Sequence, residues 1–155
     1  MKTIYFDMDG TLADLYRVDG WLDKLSVEDF SPYEVAKPLV DTKELSDILN
    51  KLKNKGYKVG IITWGSKYST ESFLRKVKIA KEQWLLKYFS EVEFDEFVVT
   101  DYSCNKASLA KDPHGILFDD DELIRKSWHG LSYSPEYVFP VLYELLKEEN
   151  SFERV

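Results

Sequence analysis

A single cysteine, Cys104, rules out any disulfide within the chain and fits a reducing compartment. No flanking pattern around it supports a thiol nucleophile. Histidine is nearly as scarce: His114 and His129 stand without ligand spacing, which removes the usual zinc pattern. Positive charge is also short, with 21 basic against 28 acidic residues, a net charge of −7. That balance argues against holding long nucleic acid by electrostatics alone. It leaves room for a divalent cation, which requires clustered carboxylates. After Met1-Lys2 the apolar run Thr3-Ile4-Tyr5-Phe6 is too short for a signal peptide or a membrane span. There is no internal repeat, no low-complexity tract and no linker. The expectation is a soluble, cytoplasmic chain forming one domain over residues 1–155, with loose order confined to Asn150–Val155.

Strands and helices alternate along what is there. Lys2–Phe6, Val59–Thr63, Phe97–Thr100 and Ile116–Phe118 read as strands, the second apolar enough to be buried on both faces. Asp41 with Glu44 three residues on is a helix start, Leu45, Ile48, Leu49 and Leu52 form its apolar stripe, and Gly56 closes it. After Trp64-Gly65-Ser66 a long helix carries Phe73, Val77, Ala80 and Trp84 inward. The lysines from Lys67 to Lys81 read as its wet face. Lys106–Lys111 is a short helix ended before Pro113, Asp121 caps another, and a last helix is expected to start near Pro140. This rhythm predicts an α/β fold, a three-layer, doubly wound (Rossmann-like), mostly parallel sheet. Residues 15–41, broken by Gly20, Pro32 and Pro38, interrupt the rhythm with room for two short helices.

The first strand runs into Asp7-Met8-Asp9-Gly10-Thr11-Leu12-Ala13-Asp14. Side-chain direction alternates along an extended chain, so Asp7 and Asp9 point the same way. Two like charges so close need a cation or a proton between them. A calcium loop would continue with acidic ligands at fixed spacing, a pattern that Leu12 and Ala13 interrupt. The second strand ends in Thr63 and the fourth in Asp119-Asp120, while Lys106 opens the helix before the fourth, with Lys111 as its rival. The carboxyl ends of parallel strands share one edge, where open α/β sheets bind ligands.

In this order, the aspartate pair, a hydroxyl, a lysine and an acidic pair resemble the four motifs of the haloacid dehalogenase-like superfamily. The resemblance spans the sheet but not residues 15–41, which sit where members carry a helical cap. It implies a Mg²⁺-dependent phosphomonoester hydrolase that works through an aspartyl-phosphate. Asp7 would be the nucleophile and Asp9 the general acid and base. Asp7, the Asp9 carbonyl and Asp120 would hold Mg²⁺ with Asp119 in support. Thr63 and Lys106 would bind the phosphoryl group. The layout is similar to the 5′(3′)-deoxyribonucleotidase branch and small bacteriophage-type relatives, which implies a nucleoside monophosphate as substrate. Trp21 and Phe30 would then contact the leaving group. A phosphatase acting on a nucleic-acid terminus, or a non-catalytic phosphate or metal sensor, remains the alternative.

Overall fold

A computed structural model describes residues 2–148 of the chain. The expected loose stretch at Asn150–Val155 lies outside the described residues. Five parallel strands form one sheet in the order β3-β2-β1-β4-β5. They are β1 (Thr3–Phe6), β2 (Lys58–Trp64), β3 (Glu96–Thr100), β4 (Ile116–Phe118) and β5 (Ser132–Tyr133). The fifth has two residues, too few for a sequence pattern, and was not anticipated.

Burial on both sides explains the apolar runs. Ile4 and Phe6 of β1 face one way, with Val59, Ile61 and Phe118, against α3 (Thr42–Asn54), the end of α4 (Glu71–Tyr88) and α7 (Val138–Lys147). Tyr5 faces the other way, with Ile62 and Leu117, against α5 (Lys106–Leu109) and α6 (Glu122–Ser127). Helices on both faces of a parallel sheet make the doubly wound α/β fold. The chain leaves β1 toward β2 and leaves β4 toward β5, so the crevice between β1 and β4 is where ligands enter such sheets.

Local signals set the helices. The Asp41 carboxylate accepts the Glu44 N–H at the start of α3, and its Leu45, Ile48, Leu49 and Leu52 are buried. Each such burial is worth about 1.5–3 kcal/mol. Gly56 follows at φ 104°, a conformation open to glycine. Thr70 caps α4 through the Phe73 N–H. The last helix begins at Val138, after a 3₁₀ turn over Pro135–Tyr137, so Pro140 lies inside its first turn. N–H groups there have no intrahelical partner, so proline costs nothing. Residues 15–41 fold as a 3₁₀ turn (Leu15–Arg17), α1 (Trp21–Ser26) and α2 (Ser31–Val35). Leu15, Leu25 and Tyr33 of that segment pack on Phe73, Val77 and Ala80 of α4.

Tyr5 ties three elements together. Its fully buried hydroxyl donates to Glu96 Oε1 at 2.6 Å and accepts the Asp112 N–H at 3.0 Å. Tyr5→Phe keeps the ring and strands both partners. Urea denaturation should show about 1–3 kcal/mol less stability, the cost of unpaired buried polar groups, and an unchanged value would mean water replaces the hydroxyl.

Candidate active site

Asp7 follows β1 directly, and its N–H donates to Phe118 O at 2.9 Å. This bond extends the β1–β4 pairing and sets Asp7 beside Asp119. The next residues curl tightly. The N–H groups of Thr11, Leu12 and Ala13 converge on the Met8 carbonyl, and Gly10 donates to Ala13 O. Gly10 sits at φ 81°, and a side chain there would collide with the Asp120 carboxylate and the Tyr16 ring. Glycine is required at that point. Asp7 and Asp9 both line the cavity above the curl, whereas Met8 is buried.

Asp119 and Asp120 follow β4. Asp121 caps α6, accepting the N–H groups of Leu123 and Ile124. Asp119 is buried and tightly held: Oδ1 accepts the Asp121 N–H at 3.0 Å and Oδ2 accepts Lys106 Nζ at 2.6 Å. Arg125 donates to its carbonyl. One carboxylate oxygen each from Asp7, Asp119 and Asp120 lies within 4.8 Å of the others.

Two buried lysines neutralise part of this charge. Lys106 opens α5 and bridges Asp7 Oδ1 at 3.0 Å and Asp119 Oδ2 at 2.6 Å. Lys111 is exposed, its backbone N–H donates to Glu96, and it lies outside the carboxylate cluster. The second lysine corrects the sequence reading. Lys81 is not on the wet face of α4 but 1% exposed, and donates to Asp9 Oδ2 at 2.9 Å, Thr63 Oγ1 at 2.8 Å and Trp64 O at 2.8 Å. Its position offered a signal: it stands four residues after Val77 and three before Trp84, on the inward stripe.

Burial pushes Asp9 above the usual carboxylate range, with Lys81 pulling against it and Asp7 adding to it. Burial likewise opposes the charge on Lys106, but Asp7 and Asp119 outweigh it and hold that pKa above the ordinary lysine value. Burial and then the Asp7 charge push Asp119 up to about 7 and Asp120 up to about 8. With all four carboxylates ionised, only two ammonium groups would face them, and the raised values of Asp9, Asp119 and Asp120 reflect that excess. An all-oxygen cluster with that excess fits a hard divalent cation.

A cavity of about 630 Å³ opens above the cluster. Its wall is aromatic: Tyr16 and Trp21 meet edge to face at 5.1 Å, and Trp64 lies 5.0 Å from Tyr102. Of these, only Trp21 was singled out from sequence, and Tyr33 and Ser66 also line the space. Two expected residues are not among the lining. Phe30 packs into the cluster of Leu15, Leu25 and Phe73. Thr63 is fully buried, with its hydroxyl accepting from Lys81.

No family model matches this sequence, and no curated protein matches it significantly. Among solved structures, the chain is similar to the D,D-heptose 1,7-bisphosphate phosphatase from Burkholderia thailandensis. The two share 12% identity and a TM-score of 0.53 over 96% of this chain and 100% of that one. At that identity the likeness shows a common fold. The fold observed is the doubly wound α/β architecture that the alternation of strands and helices predicts. No described helix is long and apolar enough to cross a membrane.

Carboxyls raised above their unfolded values favour folding while protonated and cost stability as pH rises through about 7 and 8. A bound divalent cation reverses that cost. Thermal melts should show stabilisation by the cation that is larger at pH 8.5 than at pH 6 and is lost in Asp120→Asn. Equal stabilisation in Asp120→Asn would place the cation elsewhere.

Proposed function

We propose that this chain is a Mg²⁺-dependent phosphomonoester hydrolase acting through an aspartyl-phosphate on Asp7, with a nucleoside monophosphate as substrate. The observation that carries the reading is the lysine-bridged carboxylate cluster at the β1–β4 crevice, open to a cavity of about 630 Å³. That volume lies within the range of small-molecule sites.

Phosphate monoesters are anionic, so their cleavage depends on neutralising charge and on positioning. Mg²⁺ held by the Asp7 and Asp120 carboxylates and the Asp9 carbonyl, with Asp119 in support, would supply charge neutralisation at the phosphoryl group. The Asp7 carboxylate attacks phosphorus, forming an O–P bond as the bond to the leaving oxygen breaks. Asp9 gives that oxygen its proton, and burial favours its carrying one. Water then attacks the phosphoryl group, Asp9 takes the water's proton, and Asp7 is released. Lys106 neutralises Asp7 and the phosphoryl oxygens. Ser66 lines the cavity and Thr63 does not, so hydroxyl contact with those oxygens falls to Ser66, with Thr63 supporting from beneath.

The segment 15–41 acts as a small cap on a single domain. Its Tyr16–Trp21 pair and the facing Trp64–Tyr102 pair present π faces suited to a base. Phe30 serves by packing the cap.

The test compares a nucleoside monophosphate with p-nitrophenyl phosphate, with Mg²⁺ and with chelator. Both hydrolyses should stop on chelation. Trp21→Ala should cost nucleotide turnover about ten- to a hundredfold through KM, from a stacking loss of roughly 1–3 kcal/mol, and leave the small ester little changed. Metal-independent turnover would contradict the mechanism, and equal losses on both esters would contradict the nucleotide assignment.

A further inference from the structure

Lys81 does not line the cavity, and its ammonium has no donor to spare. An ammonium carries three N–H donors, and three acceptors lie in reach: Asp9 Oδ2, Thr63 Oγ1 and Trp64 O. Two of them, Thr63 Oγ1 and Trp64 O, belong to the end of β2, the adjacent strand of the sheet. The stem is fixed from the other side, where Ala80 and Trp84 of α4 are buried and the Tyr33 ring lies 4.8 Å from Nζ. The cation is therefore a fixed post with one partner outside β2, the Asp9 carboxylate. Without it, Asp9 would stand beside Asp7 and the acidic pair with no counter-charge of its own, free to swing toward any cation bound there.

Stability alone does not call for this arrangement. Burying a lysine is costly, and apolar replacements of buried ion pairs are often neutral or stabilising. We propose that Lys81 is a positioning residue: it holds one oxygen of Asp9 so that the carboxyl group faces the leaving oxygen of the substrate. The inference rests on the phosphatase reading above. It assigns to α4, far along the chain from Asp9, a part in proton transfer.

The test uses leaving groups. The value of kcat/KM counts only steps up to departure of the leaving alcohol, where Asp9 donates its proton. Nitrophenolate leaves without a proton, whereas a nucleoside alkoxide needs one. Lys81→Met should lower kcat/KM for a nucleoside monophosphate about ten- to a hundredfold, the scale of a small misplacement, and for p-nitrophenyl phosphate less than about threefold. Adding Lys81→Met to Asp9→Asn should cost the nucleotide nothing further, as expected of a residue that acts through Asp9. Lys81→Gln gives the same readings should Lys81→Met fail to fold. In the metal-free protein labelled with ¹⁵N-lysine, the exchange-protected ammonium signal that vanishes in the Lys81 variants should shift in Asp9→Asn. Equal losses on both esters, additive losses in the double variant, or an unshifted ammonium signal would each overturn the proposal. A parent that hydrolyses neither ester overturns the phosphatase reading instead, and the ammonium signal alone then decides whether Lys81 holds Asp9.

Discussion

Carboxylates crowded at the end of one strand repel one another, and everything at this sheet edge follows from how that repulsion is met. Asp7 and Asp119 are fixed side by side because the β1–β4 pairing continues one residue past Phe6. Lys106 bridges them from α5, and Lys81 reaches Asp9 from α4. Each ammonium is buried and each would be costly alone, yet paired it holds a carboxylate in a defined place. Fully ionised, the four carboxylates outnumber the two ammonium groups, an excess suited to a divalent cation.

The fold supplies this geometry with few residues. The sheet order puts β1 at the centre, between β2 and β4, so the ends of three adjacent strands face one crevice. Met8 and Leu12 bury the underside of the 8–13 curl, while Gly10 lets it pass beneath Asp120. On the outer side, residues 15–41 are tied to α4 by Leu25 and Tyr33 and by the Trp84 indole N–H bonded to Ala36 O at 2.8 Å. The aromatic mouth therefore rests on the same helix that carries Lys81.

Much of this was legible in the residue order. The alternation of apolar strands with capped helices gave the parallel sheet, because buried strands and amphipathic helices leave different periodicities. The placement of Asp7, Asp9, Asp119 and Asp120 together was legible because charge directly after a buried strand has no packing role to play, whereas Lys106 and Lys111 could not be separated without the fold. Lys81 was not: a lysine within a lysine-rich helix reads as solvated, and only its phase relative to Val77 and Trp84 separates it from exposed Lys76 and Lys78. Trp64 and Tyr102 were missed because aromatic residues near strand ends and in short loops usually pack, and whether they face a cavity depends on tertiary placement. Phe30 shows the converse, since it packs where Trp21 lines the cavity. Thr63 ended the predicted strand, but its side chain found Lys81 beneath the floor of the site.

The central claim is covalent transfer to one carboxylate, and trapping it is the most direct measurement. Enzyme mixed with substrate and Mg²⁺ is quenched in acid during turnover, reduced with borohydride and digested. An aspartyl-phosphate reduces to homoserine, so the account predicts homoserine at position 7 and at no other aspartate. Full turnover with Asp7 unmodified, or homoserine at Asp9, Asp119 or Asp120, would contradict it.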